Sequence, residues 1–225
     1  RRPEMIYASI SGFGDRGPDA TRPGYDLIIQ GESGMMNITG DTDTPPFKMG
    51  TSIADLVSGM TLVQGILAAL YIRRDTGKGQ HVKVSMLEAL SSLLTYHAGN
   101  YFATGVSSER RGNAHPSIVP YETFQAADGW LNIAVGNDAQ WDTFCEAVDR
   151  LDLLEHELYA NAPDRVSNRD QLIPIVTELL QTKSRDECIA ILSGAGLPCG
   201  AIRTVGEACE SETLKERGMI WKMQH

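Results

Sequence analysis

The chain has 225 residues, 42% of them hydrophobic and 22% charged, a composition that excludes a disordered chain and suits one large or two modest globular domains. A net charge of −9 argues against nucleic acid as a main partner. Cys145, Cys188, Cys199 and Cys209 form no CxxC pair and have no histidine at metal spacing, so they read as reduced thiols, and no metal site is expected. That points to the cytoplasm, or to the mitochondrial matrix of a eukaryote. No charge-free apolar run reaches spanning length and no signal peptide opens the chain, so no membrane association is expected. The absence of an initiator Met before an immediate strand-like run reads as a fragment of a longer chain.

Met5–Ile10 is apolar and strand-like. The glycine-containing loop from Ser11 to Pro18 calls for a close backbone approach. It can be a plain strand-to-helix connection or a weak phosphate signal. Tyr25–Met36 reads as a short helix with Leu27, Ile28 and Gly31 as its packed face. A polar loop, 37–49, then leads into Gly50-Thr51-Ser52-Ile53-Ala54-Asp55-Leu56, where a long apolar helix opens. Leu56, Met60, Val63, Leu67 and Leu70 recur at helical spacing, and its other faces are also apolar, so the helix is expected under a sheet or a subunit. Gly59 and Gly65 would cost stability if exposed, and they make sense where a backbone or ligand comes close. Thr76-Gly77-Lys78-Gly79 ends the helix. Gln80–Val84 is the next strand, and Ser85 with Glu88 marks a capping box opening a helix to about Ala98.

Gly99–Arg111 is polar and irregular and reads as a linker. Tyr121–Phe124 and Trp130–Val135, around Asp128-Gly129, form a β-hairpin. Helices follow over Ala139–Val148, Asn168–Gln181 and Ser184–Leu192, then a strand at Ala201–Arg203 and a helix over Glu207–Arg217. The expected domains are therefore 1–98, part of a larger domain; 99–116, linker and loop; 117–203, a small α+β domain; and 204–225, a segment returning to the first.

Asp55 stands at the junction of loop and helix. It can cap the helix, as Asp commonly does. It can also be an exposed nucleophile kept ionised by the helix N-terminus. In that case its carboxylate should face a cavity, and the backbone N–H groups that follow it are candidate oxyanion donors.

Gly50 to Asp55, Gly59, Gly65–Leu70 and Arg73-Arg74-Asp75-Thr76-Gly77-Lys78-Gly79-Gln80 resemble the central signature of the class III CoA-transferases, the CaiB/BaiF family, with similarity from Tyr7 to about Trp221. The resemblance implies an α/β protein: a large domain on an open parallel, Rossmann-like sheet, and a smaller α+β domain. It also implies an interlocked homodimer of the full-length chains. Asp55 then corresponds to the covalent catalytic residue. The substrates would be an acyl-CoA, with coenzyme A as the carried group, and a small carboxylic acid. Tyr25 and Asp26 would lie near the thioester, and His115 would belong to the loop over the reacting centre, although the glycine run of the formyl-CoA transferases is missing there. Residues that bind the CoA nucleotide are not identified. Arg110, Arg111 and Arg203 are either solvated charges or partners for a second carboxylate. Two alternatives stay open. One is an α-methylacyl-CoA racemase, against which stands Tyr25 in place of that family's His base. The other is a non-catalytic module that binds acyl-CoA or dimerises.

Overall fold

A computed structural model describes residues 2–224. They form a mixed α/β structure in two compact units, one reaching Gly112 and the other starting at Asn113.

In the first unit, Tyr7–Ser11 (β1) and His81–Ser85 (β2) pair in parallel, with Tyr7 opposite His81 and Ser11 opposite Ser85. Among the described residues this two-stranded ribbon is all the parallel sheet the unit contains. Asp26–Glu32 (α1) and Ile53–Thr76 (α2) come between the strands, and Met86–Ser91 (α3) and Thr95–Thr104 (α4) follow them. The Ser11–Pro18 loop makes the close approach its glycines call for: a Cβ on Gly12 would lie 2.7 Å from the Gly24 Cα. A Cβ on Gly65 would lie 2.6 Å from Val82 Cγ1, so this glycine lets α2 settle onto β2. Gly59 has nothing within 4 Å of its Cβ position, so no contact here accounts for it. α2 ends at Gly77, whose φ of 68° supplies the left-handed cap.

Several expectations need correction. The buried face of α1 carries Ile29 and Gln30, while Leu27 and Ile28 are exposed. The helix after β2 stops at Ser91 and restarts at Thr95, a residue at φ 43°, so helical structure persists to Thr104 and the irregular stretch starts at Gly105. Ser85 Oγ accepts the Glu88 N–H, but the return bond that would complete a capping box is missing. Arg110 braces a loop: its Nε donates to the Asp41 carbonyl at 3.2 Å and its Nη2 to that of Thr44 at 3.1 Å. On α2, Leu56, Met60, Val63, Leu67, Leu70 and Tyr71 are all exposed, so the sheet of this unit leaves that apolar face uncovered, and of the two expected covers only a subunit is left open. By length and composition this helix also passes the test for crossing a membrane. The charge-free run 56–72 falls short of ~20 residues, but the helix extends beyond it at both ends.

In the second unit, Tyr121–Gln125 (β3), Trp130–Ala134 (β4) and Cys199–Ala201 (β5) form an antiparallel sheet in that order. Asp138–Ala147 (α5), Leu151–Leu154 (α6), Ala162–Ser167 (α7), Arg169–Gln181 (α8) and Arg185–Gly194 (α9) fill the β4–β5 connection. Phe124, Leu131 and Ile133 face Trp141, Phe144, Leu172, Val176 and Leu192 in one closed core. Arg165 is buried in it with a partner for each guanidinium nitrogen. Its guanidinium donates to the Val119 and Tyr159 carbonyls and, at 2.7 Å, to Asp138 Oδ1, and it lies over the Trp141 ring. The expected closing helix is two short ones, Val205–Cys209 (α10) and Glu212–Glu216 (α11).

Candidate active site

Asp55 occupies the third position of α2, not the cap. It is exposed, and its carboxylate accepts no hydrogen bond among the described residues. The capping role open to it in sequence is performed from elsewhere. Asp26, at the start of α1, places Oδ1 3.0 Å from the Ala54 N–H. Ser52 stands at the N-cap position and makes no side-chain cap bond. The remaining donors of the first turn are those of Ile53, which bonds the Thr51 carbonyl, and Leu56, which bonds that of Ser52 at 3.1 Å. The Asp55 N–H has no backbone partner among the described residues. The oxyanion donors expected beyond Asp55 are thus engaged in the helix ladder, and the free N–H is that of Asp55 itself. It sits at the positive end of a 24-residue helix.

Gln30 ties this corner together. It is 1% exposed, in the middle of a short apolar helix. Its Nε2 donates to Asp26 Oδ2 at 2.8 Å and, more weakly, to the Thr51 carbonyl at 3.4 Å. Its Oε1 accepts the Met49 N–H at 2.8 Å. One amide thereby holds the capping carboxylate and both sides of the turn before α2. The sequence reading passed over Gln30. Its only signal was an amide amid Leu27, Ile28 and Ile29, where nothing polar was needed.

Of the residues singled out in sequence, the fold brings Asp26 and Asp55 together through Ala54. Tyr25 is next to Asp26 with its ring 76% exposed. His115 belongs to the second unit. Its Nδ1 accepts the Ser117 N–H, its ring is 5.0 Å from that of Tyr121, and its carbonyl accepts from Arg169. Arg169 also pairs with Glu122 at 2.9 Å. Burial raises the Glu122 pKa, and Arg169 opposes that shift. A cavity of about 380 Å³ opens beside this pair, lined by Tyr121, Glu122, Asn132, Pro198 and Cys199. The first unit has a cavity of about 350 Å³ lined by Glu4, Met5, Ile66, Leu70 and Arg73. Leu70 is roughly 22 Å along α2 from Asp55 at the helical rise per residue. Asp55 is exposed at the end of α2 remote from this cavity. Among the described residues no group of three His, Cys, Asp or Glu side chains is placed to hold a metal ion.

Asp55, exposed at the start of a long helix, and Asp26, which caps that helix from α1, stand together on a mixed α/β fold. The sequence matches CoA-transferase family III over residues 1–225, and the chain belongs to that family. It is 39% identical to the succinate–glutarate CoA-transferase of Agrobacterium fabrum, over 96% of this chain and 54% of that enzyme. It is 37% identical to the acetyl-CoA:oxalate CoA-transferase of Acetobacter aceti, over 98% of this chain and 57% of that one. The crystal structure of a CAIB/BAIF family protein from Brucella suis superposes with a TM-score of 0.90 at 41% identity, covering 96% of this chain and 57% of that one. The chain thus spans a little over half the length of these relatives.

Proposed function

We propose that this chain carries the nucleophile of a CoA-transferase that moves CoA from an acyl-CoA donor to a small carboxylic acid. Asp55 attacks the donor thioester carbonyl, giving an aspartyl–acyl anhydride and the CoA thiolate. The thiolate attacks the aspartyl carbonyl, which forms an aspartyl-CoA thioester and releases the donor acid. The acceptor carboxylate then attacks this thioester, and the same two exchanges in reverse yield the new acyl-CoA and free Asp55. A carboxylate suits this task because its anhydride is reactive enough for reversible exchange. The free Asp55 N–H and the helix dipole are available to negative charge that develops in each addition.

The observation that carries the reading is the state of Asp55: exposed, unpaired and relieved of capping by Asp26. The relatives' named acids, succinate, glutarate and oxalate, support small dicarboxylates as the substrate class. Tyr25, exposed beside the cap, is proposed to face the thioester, and His115 to belong to the acid-binding side. The family resemblance supports a homodimer of the whole enzyme. Free thiols at all four cysteines support a reducing compartment, the cytoplasm or the mitochondrial matrix. The open face of α2 is proposed to meet protein and not lipid.

Asp55→Asn in the intact enzyme tests this. The variant keeps the shape of the side chain and is expected to retain its thermal midpoint while losing turnover by several orders of magnitude. Hydroxylamine should cleave the aspartyl-CoA thioester, releasing CoA and leaving a hydroxamate on residue 55, in acyl-CoA-treated parent enzyme only. Near-normal turnover of a stable Asp55→Asn enzyme would refute the nucleophile.

A further inference from the structure

We infer that Gln30 is a positioning residue for the reaction: it holds the Asp26 carboxylate as a cap supplied from another helix, and so leaves the Asp55 carboxylate free. The inference rests on the reading of Asp55 as nucleophile.

An acidic side chain at the third position of a helix commonly folds back onto the N-cap N–H, as Glu187 and Glu207 do in this same chain. Such a carboxylate has its lone pairs occupied by its bonds and is turned away from a substrate. At α2 the arrangement differs. The cap comes from Asp26, 28 residues upstream, and Asp55 makes no return bond. A carboxylate reaching across from a separate helix needs its own restraint, and the Gln30 amide supplies it through Asp26 Oδ2. The same amide fixes Met49 and Thr51, the residues whose backbone sets where α2 begins. Nothing in packing alone calls for an amide at this buried position, since Leu or Met would fill the volume without a polar group to satisfy. Asp26 is the charged group touching Gln30, and Lys48, whose Nζ donates to the Met49 carbonyl, is the nearest cation on the neighbouring loop.

Gln30→Glu separates positioning from simple support. It keeps an acceptor for the Met49 N–H but sets a carboxylate oxygen against Asp26 Oδ2. Lowering the pH protonates the introduced carboxyl and restores a donor. In the intact enzyme we expect kcat at neutral pH to fall tenfold or more, KM for acyl-CoA to stay within about twofold, and kcat to recover toward pH 5 relative to the parent. Formation of the aspartyl-CoA species should slow in parallel. Gln30→Met, which removes every bond at similar volume, should lose kcat without recovery at low pH. Should Gln30→Met not fold, the pH profile of Gln30→Glu decides alone. Parental kcat in Gln30→Glu at all pH values, with only a lowered thermal midpoint, would overturn the inference. An active Asp55→Asn enzyme would instead remove the nucleophile on which it rests, so the two failures are distinguishable.

Discussion

The two units handle apolar surface in opposite ways. In the second, Trp141, Phe144, Leu131 and Leu172 are sealed between a sheet and the helices α5–α9, and even a guanidinium is taken inside with its partners. In the first, the buried cluster is small, with Phe13, Ile29, Ala54, Met86 and Leu90, while Met60 and Leu67 on the longest helix are 63% and 61% exposed. The second unit gains its stability from within. The first has an apolar stripe of the kind that marks a contact surface, and the candidate nucleophile stands at one end of that stripe.

This contrast breaks most sharply under truncation. Phe144→Ala is expected to cost about 3–5 kcal/mol, as a cavity-forming change in a closed core does. Leu67→Ala in the same chain should stay within about 0.5 kcal/mol, because its side chain already meets water. Urea unfolding of the two variants checks the pair, and a large loss from Leu67→Ala would mean that the stripe is already covered in solution.

A smaller effect of opposite sign is expected one turn beyond Asp55. Gly59 weakens the interior of α2 and leaves room for a side chain, so Gly59→Ala should stabilise this chain by about 0.5–1 kcal/mol. The comparison with the intact enzyme sharpens it. A loss of stability or turnover there would locate a partner or substrate at the space over Gly59.

The smallest effect belongs to the rim of the second unit. The Thr204 backbone N–H, the Arg185 ion pair and the Thr204 hydroxyl hold the Glu207 pKa at about 2. A folded value below the unfolded one means that this contribution is present above the ordinary carboxylate range and is lost as the pH falls through about 2. Carboxyl titration by NMR should report that low midpoint, and Glu207→Gln should abolish the associated loosening of α10 in acid. A midpoint near 4 would show that the box does not persist in solution.

Much of the fold was legible where the signal was local. The hairpin at Asp128-Gly129, the helix opening after Ser184 and the length of α2 each follow from residues within a few positions. The face of α1 was misjudged because a helix as short as Asp26–Glu32 has too few residues to fix its phase. Its burial is decided by the turn at Met49–Thr51, which arrives some twenty residues later. The halt at Ser91 had no composition signal, whereas the start of α7 had one that was passed over, Asn161 as cap with Pro163 in the first turn. At the site, the position of Asp55 was legible from the loop-to-apolar switch. Its freedom was not, because sequence offered Asp55 itself as the nearest cap and gave no hint that a carboxylate from α1 would reach Ala54.

The latch at Met49 and Thr51 has a bearing on how the loop before α2 can change. Gln30 grips the loop where it returns to the helix, while its outward leg is closed separately by the Phe47 N–H on the Thr39 carbonyl and by Arg110 on Asp41 and Thr44. Both ends are thus anchored independently of what lies between them. Changes at Asp43, between the two carbonyls that Arg110 holds, should leave the start of α2 in place, since the returning end of the loop is tied separately by Gln30. A change in this loop is thereby kept from reaching the backbone that sets where α2 begins.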